Sequence, residues 1–170
     1  MVIQLLPHDP AWAGLYETAA EEIRRALGPR GLRVEHVGST AVPGIVAKPT
    51  IDVLILVERY DPEAVYRSPL ASLGYTHHHR DDVHVLFKGS RGGVAFNVHV
   101  VEEGAADASM MIAFRDYLRS HPDEARRYEE LKLALAGRHS DATAYAEAKS
   151  SYVRKVVRQA GSTRGDAAGT

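Results

Sequence analysis

One stretch concentrates residue types that could do chemistry together. From Glu35 to Val57 the chain reads EHVGSTAVPGIVAKPTIDVLILV. Gly38 closes a short apolar run and is followed by Ser39 and Thr40. A glycine there lets backbone N–H groups approach an anion, and the two hydroxyls add donors. Twelve residues after Ser39 separate it from Asp52, the carboxylate in TIDVLILV. If turn and strand are neighbours, Asp52 can hold a divalent cation beside a phosphate, because Mg²⁺ sites combine one or two carboxylates with phosphates and waters. By itself the pairing is weak: Gly-Ser turns are common, and an Asp at a strand end often caps a turn.

The elements that must position these residues follow from periodicity and punctuation. HDPAWAGLYETAAEEIRRALGPRG predicts a helix, with Asp9 as cap, Pro10 at its first position and Gly28-Pro29 as its stop. Trp12, Leu15, Tyr16, Ala19, Ile23 and Leu27 fall on one face. LRVEHV predicts a strand running into Gly38. TIDVLILV predicts a central strand buried on both faces. DPEAVYRSPLASLG predicts a helix broken near Pro69, and YTHHHRDDVHVLFKG and VAFNVHVVE predict strands, with turns at Asp81-Asp82 and GSRGG. ASMMIAFRDYLRSH, PDEARRYEELKLALAG and SDATAYAEAKSSYVRKVVRQA predict three helices. The expected architecture is α+β (mixed α/β): a single domain over 1–160 with a mixed β-sheet flanked by helices and a helical C-terminal third. Residues 161–170 are small and polar and read as a flexible tail.

The spacing of the Gly-Ser pair and the strand Asp resembles the nucleotidyltransferase-fold superfamily. There, a second carboxylate follows two residues after the first and a third lies on a later strand, so that alternate side chains of one strand face share a metal pair. The longer phrase resembles the GrpB family, whose signature is similar to E-H-(apolar)-G-S-T-(small)-V-P-G-(apolar)-x-(small)-K-P-x-(apolar)-D. HDPAW near the start, His99 to Val101, FRDYLRSHPDEARRYEELK and YAEAKSSYV extend the resemblance along most of the chain. It implies a nucleotidyltransferase-like fold. Some members of that family are fused to dephospho-CoA kinase, an association with coenzyme A or nucleotide metabolism.

The sequence departs from the superfamily pattern at Leu54, where the second carboxylate would stand. Two residues are candidates to complete the site: Glu35, on the strand entering the turn, and His99, where the third carboxylate would sit. Imidazole suits Zn²⁺ or Mn²⁺ better than Mg²⁺. The expected metal set is therefore Asp52, Glu35 and His99 with Mg²⁺ or Mn²⁺, and the same three are the catalytic candidates. His36 points opposite to Glu35 on a regular strand, so one of the two reaches the cleft. Gly38, Ser39, Thr40 and Lys48 are the phosphate- or nucleotide-binding candidates, with Lys48 acting as a point charge.

Other residues are weaker candidates. The histidines of THHHRDDVH read as a solvated hairpin, with Arg80 as a candidate cleft residue. Arg91 reads as a solvated hairpin tip. Arg115 and Arg119 are four apart on a helix, and Arg115 reaches a phosphate if its face turns inward. Tyr145 and Lys149 share a helical face. A Tyr-x-x-x-Lys pair also occurs in short-chain dehydrogenases, but no glycine-rich dinucleotide motif accompanies it here. In the GrpB-like alignment both are placed toward the cleft.

The whole chain narrows the function classes. Its 170 residues suit one domain with a sizeable core. A formal net charge of −1 argues against broad nucleic-acid binding. The absence of cysteine excludes disulfides and thiolate metal sites and fits a cytoplasmic location. No cationic, apolar leader opens the sequence, and no apolar run approaches the ~18 residues of a membrane span. Nothing in the sequence sets the oligomeric state. Two readings remain: a metal-dependent enzyme transferring a nucleotidyl group to a small acceptor, or a catalytically degenerate module that binds a nucleotide, CoA or another phosphate-bearing small molecule.

Overall fold

The computed structural model describes residues 3–82, 84–138 and 141–166, excluding the side chains of Ala142 and 162–166. The elements run α1 (Ala11–Leu27), β1 (Gly31–Val37), β2 (Thr50–Val57), α2 (Ala64–Ser72), β3 (Thr76–Arg80), β4 (His84–Arg91), β5 (Val94–Glu102), α3 (Ala106–Ser120), α4 (Pro122–Ala136) and α5 (Ala142–Asp166). The strands form one sheet in the order β1-β2-β5-β4-β3. Only β2 and β5 pair in parallel. This is the expected mixed α/β architecture with a helical C-terminal third. Among the described residues no helix is long and apolar enough to cross a membrane.

The sheet has two unlike faces. Ile51, Val53, Ile55 and Val57 of β2 join Phe96, Val98 and Val100 of β5 in the main core. The stripe of α1 packs onto them, with Trp12, Ala19, Ala20, Ile23 and Leu27 buried. Asp9 accepts the Ala11 N–H at 2.9 Å, as its capping position predicts. On the opposite face Leu54 and Leu56 meet Val37, Val101 and Ala108 in a smaller cluster beneath α3. A third cluster, including Val42, Ile45, Phe114, Tyr128 and Val156, binds α3, α4 and α5 to the loop before β2.

Three local expectations change. Pro69 does not break α2, which runs through it to Ser72. Only three residues follow the proline, and burial of Tyr66 and Leu70 holds the segment. Arg91 is not a hairpin tip: β4 extends through it, paired with Val94, and it forms an ion pair with Glu22 at 2.5 Å. The turn is Gly92-Gly93, whose φ angles of 55° and 81° suit a two-residue hairpin. The expected tail at 161–170 is helical in α5 as far as Asp166, and 167–170 lie outside the described residues.

Candidate functional site

Strand register places the central residues. Asp52 pairs with Val37 on one side and with Asn97 on the other, and Leu54 pairs with Glu35 and His99. Neighbouring residues of paired strands share a face, so Asp52, Asn97 and His99 emerge together opposite the main core. The Asn97 amide donates to Asp52 Oδ1 at 2.8 Å, and His99 Nε2 lies 3.4 Å from the same oxygen. His99 Nδ1 is 3.1 Å from His84 Nε2, and His84 Nδ1 is 3.4 Å from Asp81 Oδ2. A row of two imidazoles thus links Asp52 to Asp81. His84 was expected in a solvated hairpin; its ring instead stacks on His99 at 5.2 Å. Burial, with His99 beside it, pushes His84 below the usual histidine range, against the opposing Asp81 bond.

The Gly-Ser turn closes over Asp52. Gly38 has φ 74°, and a Cβ there would fall 2.3 Å from Asp52 Oδ2. Only glycine allows both the conformation and the approach. Ser39–Ala41 form a short 3₁₀ turn. Beneath it, His36 is buried on the α1 side, stacked on Tyr16 at 4.6 Å. Burial pushes His36 down to about 4, so the ring is neutral. The Thr40 hydroxyl donates to Thr50 O at 3.2 Å and therefore accepts from His36 Nε2–H at 3.0 Å. His36 and Thr40 thus tie the turn to the start of β2 and do not line the cleft.

Glu35 shares the face of Asp52 but is committed elsewhere. Arg115 Nη1 donates to it at 2.7 Å and Arg33 at 2.6 Å. Burial pulls the Glu35 carboxyl upward, but these bonds prevail and hold it below the usual carboxylate range. Arg115 also donates to His36 O and Asp116, so it anchors β1 to α3 instead of reaching a phosphate. Arg119 donates to Ala41 O at 2.8 Å and braces the turn. Arg80 lies on the exposed edge strand, paired with Asp61 at 2.9 Å and with Glu63.

Asp52 opens into a cavity of about 410 Å³ between the sheet and helices α4 and α5. Ser39, Lys48, Tyr145 and Lys149, four of the sequence candidates, line it. Lys88 of β4 and Lys132 of α4 line it too. Lys149 sits over the Tyr145 ring at 4.2 Å and Lys48 over the same ring at 5.9 Å. The Tyr145 hydroxyl is buried and has no hydrogen-bond partner among the described residues. Lys132 is 1% exposed and donates to Val46 O. Burial pushes Lys132 down to about 7 and Lys149 to about 8, the latter against the attraction of Asp52.

Lys132 and Lys88 escaped the sequence reading. Lys132 sits in KLALA of an amphipathic helix, four residues after Tyr128, where a lysine ordinarily reaches solvent. Its place on the otherwise buried side, beside Ala125 and Tyr128, was the available signal.

The donors do not fit a two-ion centre. Among the described residues no group of three or more His, Asp or Glu side chains is placed to hold one metal ion. Leu54, at the position of the second carboxylate, is fully buried in the cluster under α3. Only Asp52 and His99 converge from the expected set, and Glu35 does not join them.

The comparisons with known proteins agree with this architecture. A solved structure of GrpB from Enterococcus faecalis superposes with a TM-score of 0.82 at 28% identity, covering 92% of this chain and 96% of that one. The Cid1 poly(U) polymerase with MgGTP bound superposes at 0.52 with 12% identity, covering 75% and 42%, which shows a shared nucleotidyltransferase fold. UPF0157 protein BH1888 of Halalkalibacterium halodurans is 39% identical over 95% of this chain and 84% of its own length. A dephospho-CoA kinase of Mycolicibacterium paratuberculosis is 28% identical over 93% of this chain, which spans 46% of that protein. The family described as GrpB protein matches residues 2–159, and with the Gly-Ser turn, Asp52 and the sheet order all in place, this chain belongs to the GrpB family.

Proposed function

We propose that this protein binds a nucleotide or another polyphosphate-bearing small molecule in the cavity beside Asp52. One observation carries the reading: Lys48, Lys88, Lys132 and Lys149 come from four separate segments and line a cavity whose only carboxylate among the described residues is Asp52. Lysines act on phosphate as point charges and donate to its oxygens. Burial chiefly, and the neighbouring lysines to a lesser degree, depress Lys132 and Lys149, and a bound anion would offset both effects. Ser39 and the orphaned Tyr145 hydroxyl offer neutral donors to the same ligand. The Cid1 neighbour's bound MgGTP and the dephospho-CoA kinase relative are consistent with a ligand carrying linked phosphates.

The Asp52–His99 pair favours a second reading, nucleotidyl transfer to a small acceptor. There an acceptor hydroxyl would lose its proton to the Asp52–His99 pair while its oxygen attacks the α-phosphate of a nucleoside triphosphate and diphosphate leaves. A divalent ion would have to arrive on the phosphates, with Asp52 as its protein ligand.

Calorimetric titration with ATP, GTP, CTP, UTP and CoA tests binding. At least one of these should bind, and Lys48→Met should weaken it without lowering thermal stability. Absence of binding for all five contradicts the reading.

A further inference from the structure

Resting on that binding reading, we infer that the cavity takes its polyphosphate without a divalent cation, the lysines occupying the role that a metal pair plays in two-ion nucleotidyl transfer. The acidic side of the site is too sparse for such a pair. Two ions held in common need bridging carboxylates. Leu54 occupies the second carboxylate's position, fully buried against Leu56, Val101 and Ala108. Glu35 is engaged by Arg115 and Arg33. His99 meets His84 through Nδ1 at 3.1 Å and faces Asp52 through Nε2 at 3.4 Å, and it brings no carboxylate to bridge two ions. Asp52 Oδ1 already accepts from the Asn97 amide, and Oδ2 faces Gly38 closely enough to leave no room for a Cβ. A Mg²⁺ ion demands near-ideal octahedral oxygen geometry and would find one crowded carboxylate.

The basic side has what the acidic side lacks. Four ammonium groups line the cavity where one carboxylate does. Lys132 is fixed by its bond to Val46 O, and Glu129 holds the same residue's N–H at 2.6 Å, so one basic wall is built into the loop before β2. Lys48 and Lys149 flank the Tyr145 ring, whose buried hydroxyl lacks an acceptor that a phosphate oxygen would provide. Mg²⁺ bound to a free polyphosphate cancels part of the charge these lysines recognise. It should therefore compete with the protein for the ligand.

Inorganic triphosphate is the direct probe, because it carries the charge without a base or sugar. Calorimetric titration is run in EDTA and again with excess Mg²⁺, on the native protein and on Lys48→Met and Lys149→Met. Binding in EDTA, weakened several-fold by Mg²⁺ and by roughly tenfold or more in each variant, is the expected result. Thermal melting of the variants checks that they are folded. Binding that appears only when Mg²⁺ is added overturns the metal-free inference and leaves the binding reading standing. No binding of triphosphate or of any nucleotide under either condition overturns both.

Discussion

The two faces of the sheet use the same strands for opposite purposes. Toward α1, β2 presents Ile51, Val53, Ile55 and Val57 to a continuous hydrocarbon core. Toward α3–α5, it presents Asp52, then Leu54 and Leu56, so only its N-terminal end is polar. β5 repeats the division, with Phe96, Val98 and Val100 inside and Asn97 and His99 outside. Period-2 alternation lets one strand set the fold and hold the site. The C-terminal helices close the polar face only partly and leave there a cavity lined by lysines.

Truncation on the core face breaks this comparison most severely. Ile55→Ala should cost about 2–5 kcal/mol of stability through lost burial and a cavity. Chemical denaturation measures that loss, and triphosphate affinity of the folded fraction should not change. A loss of affinity comparable to that of Lys149→Met would show that the faces are not independent.

Gly38→Ala strikes the junction between the faces. The added Cβ meets Asp52 Oδ2 at 2.3 Å on a backbone with positive φ. A cost of about 1–3 kcal/mol is expected, with triphosphate binding weakened because Asp52 and the turn must move. Unchanged stability and binding would remove Gly38 from the account.

The lysines of the polar face should also show in a smaller effect, the pH dependence of stability and binding. Burial pushes Lys132 down to about 7 and Lys149 down to about 8 in the fold, whereas an unfolded lysine keeps its proton to about 10.4. Between those limits the unfolded chain binds more protons, so these two groups make stability rise with pH across that window. Their penalty is fully expressed below about 7. An anion in the cavity raises both values, so ligand binding at pH 8 should take up a fraction of a proton. Titrating triphosphate in two buffers of different ionisation enthalpy reads that uptake, and Lys149→Met should reduce it. Proton release on binding would contradict the electrostatic assignment.

The site was legible where chemistry and punctuation coincide in the sequence. TIDVLILV fixes β2 residue for residue because an unbroken apolar run between polar turns has few alternatives. Asp52, Ser39, Lys48, Tyr145 and Lys149 all reach the cavity. Partners distant along the chain were not legible. Whether Arg115 meets a phosphate or Glu35 depends on how α3 crosses β1, which helical periodicity does not specify. His84 reads as a hairpin residue because its side-chain contact with His99 arises only once β4 lies beside β5. Lys132 was not singled out because one helix's pattern cannot reveal that the loop before β2 covers it.

A crystal structure of the protein grown with ATP in EDTA would locate the ligand. The triphosphate should lie among Lys48, Lys132, Lys149 and Ser39, within hydrogen-bonding distance of the Tyr145 hydroxyl. ATP bound at another surface, with this cavity holding only water, would contradict it.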